Sequence, residues 1–259
     1  MDSRMTLQDM NIVVTGAGQG IGRSVAEVAH SLGASLTLVD LNDKTMAEVA
    51  EGLDKSRVLC IAGDVADPAL AERVVSGSVT RFGAIHGLVN NAGVVKAAMI
   101  EKMTREQWQK SLDVNLSGAF YFLQAVGRHM IADAKTGSRR ERSIVNISSD
   151  AGRRGTIGQI NYGATKAGLF SLSMSAAREW AKYGIRVNTL APGGVIVTPM
   201  TETIRSEKFR DKMLDMVPMG RFGNPDEIAW PVCFLMTAAA SFITGQSLGV
   251  NGGFHMNVG

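Results

Sequence analysis

A tyrosine and a lysine four residues apart, Tyr162 and Lys166, form the pair in this sequence best suited to acid–base chemistry. In a helix their side chains lie on one face, one turn apart. A phenol has a pKa of about 10, and a nearby ammonium group favours its ionised form. At ~4 Å and an effective dielectric of ~20 the attraction is roughly 4 kcal/mol, or about three pKa units. The pair predicts a tyrosine that exchanges a proton with a carbonyl or alcohol oxygen near pH 7.

A glycine loop near the N-terminus adds a second signal, which is needed because Tyr-x-x-x-Lys alone arises often by chance. The apolar run Asn11–Thr15 leads into Gly16-Ala17-Gly18-Gln19-Gly20-Ile21-Gly22, and a helical pattern follows through Leu32. A strand, a glycine loop and a helix in this order hold a phosphate at the helix N-terminus. A plain glycine-rich turn has the same composition, so the loop needs support from other motifs.

An acidic residue, Asp40, ends the second predicted strand, Ser35–Val39, about 20 residues after the loop. A carboxylate there binds the hydroxyls of an adenosine ribose and repels a 2′-phosphate; the alternative is a turn residue or helix cap. Gln19 brings no positive charge to attract a phosphate, whereas Arg23, one helical turn on, weakens the preference. We therefore expect NAD(H) to be preferred over NADP(H).

Predicted strands and helices alternate about seven times, without a repeat, linker or low-complexity break. This pattern predicts an α/β fold, a single-domain Rossmann-type doubly wound parallel sheet of about seven strands spanning residues 1–259. A methionine-rich segment, about 198–221, reads as a loose helical flap. The carboxyl ends of parallel strands meet at one edge, where such sheets bind ligands. The residues expected there are Gly16, Asp40, Asp64, Asn91, Ser149 and Pro192.

Composition excludes several classes of function. A net charge of +3 is too small to indicate nucleic-acid binding. Cys60 and Cys233 lie far apart and do not form a disulfide framework, which fits a reducing, cytoplasmic compartment. No apolar leader and no run of 18 apolar residues is present, so no membrane span is expected. The four histidines lack metal-ligand spacing, so no metal site is expected either.

A long helix is predicted from Thr104 to about Asp133, with Asn115 in its middle. An asparagine there competes for backbone hydrogen bonds, so it marks either a kink that binds water or merely an exposed position. A polar, basic stretch, Ala134–Arg142, follows and reads most simply as a solvated loop.

With these motifs in order, the chain resembles the short-chain dehydrogenase/reductase family over essentially its whole length. Thr15-Gly16-x-x-x-Gly20-Ile21-Gly22 is similar to the cofactor loop of that family, and Asn90-Asn91-Ala92-Gly93 to its sheet-stabilising motif. Ser149, thirteen residues before Tyr162, completes the catalytic set with Asn115 and Lys166. Further similar segments are Arg186-Val187-Asn188, Pro192-Gly193 and Ile243-Thr244-Gly245-Gln246.

The resemblance implies a role for each of these residues. Tyr162 donates or accepts the proton, and Lys166 holds the nicotinamide ribose and lowers the pKa of Tyr162. Ser149 hydrogen-bonds the substrate oxygen, and Asn115 holds a water. The cofactor contacts it implies are Gly16, Gln19, Gly20, Ile21, Gly22, Asp40, Asp64, Val65, Asn91, Gly93, Tyr162, Lys166, Pro192, Gly193 and Val195. Pro192–Thr198 has one residue more than the usual family segment, so the nicotinamide contacts of Val195–Thr198 stay open.

Within the family the chain looks most like NAD(H)-dependent reductases that convert a 3-oxoacyl thioester, such as 3-oxoacyl-[acyl-carrier-protein] reductases. Many of those carry a basic residue where this chain has Gln19. The alternatives are a polyol or small secondary-alcohol dehydrogenase and, more remotely, a non-catalytic nucleotide-binding protein. The resemblance also implies a homotetramer, with the segment Ser247–Gly259 buried between subunits. If the thioester is borne by an acidic carrier protein, we expect it to dock on Arg139, Arg140, Arg142, Arg153 and Arg154.

Overall fold

A computed structural model describes residues 3–138 and 140–256 of the chain. Seven strands form one parallel sheet in the order β3-β2-β1-β4-β5-β6-β7, so the predicted α/β doubly wound fold is confirmed. The strands are β1 Asn11–Thr15, β2 Ser35–Asp40, β3 Val58–Ala62, β4 Gly87–Asn90, β5 Arg142–Ile147, β6 Ile185–Pro192 and β7 Ser247–Val250.

Helices cover both faces of the sheet. They are α1 Gly20–Ser31, α2 Asp43–Glu51, α3 Pro68–Phe82, α4 Arg105–Leu112, α5 Gly118–Lys135, α6 Ala151–Arg154, α7 Ile160–Trp180, α8 Glu207–Asp215 and α9 Pro225–Met236. Short 3₁₀ turns join several of them, including two between Pro199 and Arg205. The predicted flap thus consists of these two turns and the amphipathic helix α8.

The central strands are apolar because both of their faces are covered. In β1, Ile12 and Val14 pack into one buried cluster with α1 and α9, whereas Val13 packs into a second cluster with α3 and α5. This alternation is the period of two of a strand, used here to fill two cores. The sheet order reverses between β1 and β4, and ligands bind at the strand ends beside such a reversal.

The long predicted helix is interrupted. It runs as α4, a π-helical turn Asp113–Ser117, and α5. Single π turns mark functional sites more often than ordinary helix does, and this one contains Asn115. Two further differences lie at the ends of strands: β6 extends to Pro192, and the short helix α6 directly after β5 was not predicted.

Candidate active site

The glycine loop sits against the loop that follows β4. Gly16 has a φ of +65°, and a Cβ there would lie 2.8 Å from Ala92 Cα. A Cβ on Gly22 would lie 2.0 Å from Gly16 O, so the loop and the start of α1 close on each other. Only glycine allows both the left-handed backbone and these close approaches. The glycines of the loop therefore present bare backbone at the N-terminus of α1.

Asn91 braces this loop. Its Nδ2 donates to Thr15 O and Gly16 O, both at 3.0 Å, and its backbone N–H donates to Thr15 Oγ1 at 3.0 Å. The side-chain amide is therefore engaged with the protein, while the residue still lines the cleft beside the loop. Asn91 links the ends of β1 and β4, where the sheet order reverses.

Asp40 is held rigidly at the end of β2. Its Oδ2 accepts a hydrogen bond from Gly18 N at 2.8 Å, and its Oδ1 accepts one from Asn42 N at 3.0 Å. Each carboxylate oxygen retains capacity to accept another hydrogen bond. Two backbone donors fix the carboxylate, so it cannot swing away from a ligand at this edge of the sheet.

No unpaired cation faces Asp40 among the residues of the cleft. Arg23, expected to weaken a preference for NAD(H), instead pairs with Glu27 at 2.8 Å on the exposed side of α1. Lys110 lines the cleft, but its Nζ lies 3.0 Å from Asp64 Oδ2. Neither Arg23 nor Lys110 is therefore free to attract a phosphate at Asp40.

A cleft of about 370 Å³ runs along the strand ends, a size typical of small-molecule and cofactor sites. Nine of the predicted cofactor residues line it: Gly16, Gln19, Gly20, Ile21, Asp40, Asp64, Val65, Asn91 and Gly93. The other six predicted cofactor residues do not line this cleft. Gly22 is buried beneath the loop, and Gly193 lines a second cavity of about 180 Å³. The remaining four, which lie outside the lining, are Tyr162, Lys166, Pro192 and Val195.

Several lining residues were not among the predicted cofactor contacts. They are Leu41, Asn42, Gly63, Ala92, Val94, Lys110, Val114, Thr198, Pro199 and Met200. Most of these residues lie next to a predicted motif in the sequence. Extending each motif by one or two residues would have included them in the predicted site. Lys110 had no such signal, because only the packing of α4 brings it to Asp64. Thr198–Met200 bring the start of the flap to the cleft.

Lys166 lies at the end of the cleft. A Cβ placed on Gly93 would lie 3.6 Å from Lys166 Nζ and 3.3 Å from Asn115 Oδ1. The lysine is 4% exposed, and burial lowers the pKa of its ammonium group to about 8. Its Nζ donates to the backbone oxygen of Ile147 at 2.7 Å and lies 5.6 Å from the centre of the Tyr162 ring.

In this structure the pKa of Tyr162 is raised, and not lowered as the Tyr162–Lys166 pair predicts. Burial raises the pKa of Tyr162, and only a hydrogen bond with Ser149 opposes that shift. The physical reason is that the Tyr162 side chain is partly buried, while the ammonium group of Lys166 is directed to Ile147 O. The phenol is therefore neutral at pH 7, which is the form that donates a proton.

Ser149 is oriented by the turn that starts α6. Its Oγ accepts a hydrogen bond from Ala151 N at 3.2 Å, so its proton is free to be donated. The hydroxyl hydrogen-bonds to Tyr162, which lowers the pKa of the phenol against the effect of burial. The structure thus brings together Ser149 and Tyr162, as the resemblance to the family implies.

Asn115 is buried, so the alternative of an exposed position is wrong. Its Oδ1 accepts from Val94 N at 2.7 Å, and its Nδ2 donates to Val94 O at 2.9 Å and Thr165 Oγ1 at 3.3 Å. Both amide hydrogens are therefore used. Asn115 connects the loop after β4 to α7, and its water-binding role stays a prediction.

A buried residue missed by the sequence analysis, Asn161, precedes Tyr162. Its Nδ2 donates to Lys96 O at 2.9 Å, to Ser111 Oγ at 2.9 Å and to Gln107 O at 3.2 Å. Its Oδ1 accepts from Tyr162 N at 2.8 Å. Asn161 therefore anchors the first turn of α7 to α4. Its adjacency to Tyr162 was the only sequence signal.

The predicted basic docking group does not exist as one surface. Arg142 begins β5, at the opposite end of the strand from Ser149, and it is 3% exposed and paired with Asp133. A parallel strand separates its two ends by about 3.3 Å per residue, so Arg140 and Arg142 lie far from the strand end that carries Ser149. Arg153 is used within the protein, where its Nη2 donates to Ser247 O at 3.0 Å. Arg139 lies outside the described residues.

The segment with the additional residue is conformationally unusual. Gly194 has a φ of +62° and Val195 has a φ of +62°, so two consecutive residues are left-handed. A β-branched residue in that region is a genuine outlier. Val195 is not among the residues that line the cleft, so its contact with the cofactor stays a prediction.

Comparison with known proteins places this geometry in a family. The family model described as Enoyl-(Acyl carrier protein) reductase matches residues 16–255. A crystal structure from Brucella melitensis described as Short-chain dehydrogenase/reductase SDR:Glucose/ribitol dehydrogenase superposes with a TM-score of 0.90 at 35% identity, over 96% of this chain and 98% of that one. The chain belongs to the short-chain dehydrogenase/reductase family.

Two curated members of the short-chain dehydrogenase/reductase family are similar over nearly their full lengths. Acetoacetyl-CoA reductase of Synechocystis sp. is 38% identical over 255 residues, 96% of this chain and 98% of that protein. The 3-oxoacyl-[acyl-carrier-protein] reductase FabG of Staphylococcus aureus is 38% identical over 250 residues, 94% of this chain and 97% of that protein. The chain is therefore an oxidoreductase of the class that acts on CH–OH groups.

Members of the short-chain dehydrogenase/reductase family bind nicotinamide cofactors, and the residues of the cleft fit one. A Cβ on Gly20 would lie 3.2 Å from Thr198 Cγ2, so only a residue without a side chain leaves the passage between loop and flap open.

No helix of the described residues is both long and apolar enough to cross a bilayer. Within 3–138 and 140–256, no three His, Cys, Asp or Glu side chains converge as metal ligands do.

Proposed function

We propose that this short-chain dehydrogenase/reductase reduces the 3-oxo group of an acyl thioester to a secondary alcohol, with NADH as the preferred cofactor. The observation that carries the proposal is the position of the Ser149–Tyr162 pair and of Lys166, which adjoins Gly93 at the end of the cleft. The 38% identity to proteins named for acetoacetyl-CoA and 3-oxoacyl-carrier reduction supports a thioester substrate.

The side chains supply the proton and the polar contacts. Tyr162, neutral because burial raises its pKa, donates a proton to the carbonyl oxygen. The Ser149 hydroxyl, whose oxygen already accepts from Ala151 N, donates a hydrogen bond to that same oxygen as negative charge develops on it. A bound nicotinamide cofactor supplies the hydride to the carbonyl carbon. Ketone, hydride and proton together give the alcohol.

Lys166 acts from behind Tyr162. Its ammonium group is anchored to Ile147 O and adjoins Gly93, so it can also donate to a ribose hydroxyl in the cleft. A positive charge there stabilises the tyrosinate that remains after proton transfer. With a pKa of about 8, the lysine is mostly protonated at pH 7.

Cofactor choice follows from Asp40. Its carboxylate is fixed by two backbone N–H groups, and Arg23 and Lys110 are paired elsewhere. These features support NAD(H) over NADP(H), because a 2′-phosphate beside Asp40 meets a negative charge that neither Arg23 nor Lys110 offsets. Many 3-oxoacyl-[acyl-carrier-protein] reductases prefer NADPH, and the cofactor preference proposed for this chain differs from theirs.

The second candidate is the oxidation of a polyol or small secondary alcohol, since the structure described as a glucose/ribitol dehydrogenase is 35% identical. A panel of 3-oxoacyl thioesters, simple ketones and polyols, assayed with both cofactors, tests the two candidates against each other. We expect the highest kcat/KM for a 3-oxoacyl thioester with NADH. A higher value for a polyol with NAD⁺ overturns the substrate assignment. No turnover of any substrate supports the non-catalytic alternative.

We also propose a cytoplasmic homotetramer. Large apolar side chains are exposed on α9 and around the edge strand β7: Trp230 at 50%, Phe242 at 103% and Leu248 at 40%. Exposed large apolar side chains on neighbouring segments of the chain support burial against another subunit. Residues 257–259 of the predicted interface segment lie outside the described residues.

Both cysteines are unpaired, which supports a reducing compartment.

A further inference from the structure

A buried carboxylate that the proposed chemistry does not use lies directly after the catalytic serine. Asp150 is 2% exposed, and its Oδ2 accepts a hydrogen bond from Asn251 Nδ2 at 2.7 Å. Its Oδ1 has no hydrogen-bond partner among the described residues, and Arg153 Nη1 lies 3.6 Å away. Buried carboxylates are costly unless they are paired. A position that retains one beside Ser149 requires an explanation.

Asp150 holds together three parts of the chain. Its backbone N–H donates to Pro192 O at 3.0 Å, and a Cβ on Gly193 would lie 1.9 Å from Asp150 Oδ2. Its backbone oxygen accepts from the N–H groups of Arg153 and Arg154, so it lies at the start of α6. The same turn carries Ser149, whose Oγ is fixed by Ala151 N. A shift of Asp150 therefore moves the serine hydroxyl.

The C-terminal turn after β7 holds the other end of this contact. Asn251 donates to His255 O at 2.8 Å as well as to Asp150, and its Oδ1 accepts from Gly253 N at 3.1 Å. Helix α6 contacts the same region twice more. Arg153 donates to Ser247 O, and the guanidinium carbon of Arg154 lies 3.9 Å from the centre of the Phe254 ring. The turn around Asn251 is thus a fixed support for α6.

We propose that Asp150 is a positioning residue for Ser149, and that its hydrogen bond to Asn251 sets where the serine hydroxyl meets Tyr162. This inference rests on the proposed roles of Ser149 and Tyr162. It makes the C-terminal turn part of the active-site support, although none of its residues reaches the reacting atoms.

Burial and the surrounding charges act on the Asp150 carboxyl in opposite directions. Burial raises the pKa of Asp150, whereas the Asn251 hydrogen bond and the positive charges of Arg153, His255 and Arg154 lower it. Loss of the Asn251 bond therefore removes the largest contribution that opposes burial. Variants at either residue of the pair must perturb the same contact.

The test uses a signal from Tyr162 that does not depend on turnover. The full chain has three tyrosines, so with ¹³Cζ-labelled tyrosine the Tyr162 resonance is assigned from Tyr162→Phe. Its chemical shift reports the hydrogen bond from Ser149, and Ser149→Ala gives the shift for loss of that bond. The variants are Asp150→Ala, Asn251→Ala and the conservative Asp150→Asn. Asp133→Asn, which weakens a contact at the other end of β5, is the matched control for stability.

We expect Asp150→Ala and Asn251→Ala to move the Tyr162 resonance toward its Ser149→Ala position, with Asp150→Asn close to wild type. In parallel, kcat falls about ten- to a hundredfold, as misplacement of a catalytic group does, while KM for the cofactor changes less than about twofold. Asp133→Asn leaves the resonance in place. If Asp150→Ala does not fold, Asn251→Ala decides.

Two results overturn the inference. In the first, the Tyr162 resonance does not move in Asn251→Ala or in a folded Asp150→Ala. In the second, the resonance moves by the same amount in the control Asp133→Asn. A failure of the proposed function gives a different result. In that case wild type and Tyr162→Phe both lack turnover, while the Tyr162 resonance of the other variants still reports the Asp150 contact.

Discussion

Lys166 donates its hydrogen bond to the backbone oxygen of Ile147, at 2.7 Å, and not to Tyr162. This hydrogen bond connects Lys166, on α7, to the end of β5. It holds the ammonium group at a fixed place behind the cleft. This contact explains how a side chain only 4% exposed keeps a charge near the cofactor residues.

Lys166→Ala should therefore impair both binding and turnover. The substitution removes a donor that adjoins Gly93 and the charge that stabilises the tyrosinate, and it leaves Ile147 O without its partner. We expect a weaker Kd for NADH by fluorescence titration and a loss of kcat in the same variant. Lys182→Ala, on the exposed 3₁₀ turn after α7, is the control and should change neither.

Asp40 should determine cofactor choice. At ~4 Å and an effective dielectric of ~20, a 2′-phosphate is repelled by roughly 4 kcal/mol, and solvent and salt reduce this to about 2–3 kcal/mol. The expected preference for NAD(H) is about 30- to 150-fold in kcat/KM. Asp40→Ala combined with Gln19→Arg should narrow or reverse it, as measured with both cofactors.

Asp40→Asn is the matched variant for this prediction, because it removes the charge and keeps an acceptor for Gly18 N or Asn42 N. It separates electrostatic repulsion from a loosened glycine loop. Equal kcat/KM for the two cofactors in the wild-type protein, or a preference for NADPH, means that Asp40 does not face the ribose.

Much of this site could be predicted from local sequence. The glycine loop, Asp40 and the Tyr162–Lys166 pair are each defined by residues close in the chain, and each lies at the predicted sheet edge. The partners of these residues were not predictable, because they come from distant segments. Ile147 lies 19 residues from Lys166, and Lys110 reaches Asp64 over 46 residues. Such pairs depend on how helices pack.

The error over the basic docking group had a different origin. Arg142 and Arg153 lie eleven residues apart in sequence, but β5 runs between them and places them at opposite ends of the sheet. Because a strand separates its two ends, the predicted strand β5 by itself excluded a surface shared by Arg142 and Arg153. Similarly, the tyrosine pKa was predicted from one charge without the effect of burial, which is the largest cause in the folded protein.

Val195 should carry measurable backbone strain. Its left-handed conformation at φ +62° costs about 1–3 kcal/mol for a β-branched residue. We expect Val195→Asn to raise the free energy of unfolding by about 1 kcal/mol, because asparagine tolerates this region. Thermal denaturation should show a Tm higher by about 2–4 °C.

The control for this prediction is Val197→Asn, the same substitution two residues along. Val197 is not among the left-handed residues and is partly buried, so its replacement should lower the Tm. A Tm that falls equally for both variants contradicts strain at Val195.

His86 should make stability depend on pH. Burial first, then the positive charges of Arg140, Arg142 and His129, lower its pKa from 6.5 to about 4, with Asp133 opposing. The unfolded chain therefore binds a proton between those values that the folded protein does not. The free energy of unfolding should be highest above pH 6.5 and fall by about 3 kcal/mol as pH drops to 4, at ~1.36 kcal/mol per unit.

His86→Asn tests the cause, because it retains an acceptor for the N–H of Asn11, which bonds to His86 Nδ1 at 2.9 Å, and does not titrate. Denaturant unfolding at pH 4.5 and pH 7 should show a smaller difference for this variant than for wild type. The same pH dependence in both assigns the effect to other groups.

The most direct test of the account is Tyr162→Phe, which removes one hydroxyl oxygen and leaves the ring. Because that hydroxyl donates the proton and Lys166 and Asp40 remain, turnover of the best substrate in the panel should be abolished while the Kd for NADH stays close to wild type. Both are measured on the same preparation, by NADH absorbance and by fluorescence titration. Turnover within about tenfold of wild type, ~1.4 kcal/mol of barrier, contradicts the assignment of Tyr162 as the proton donor.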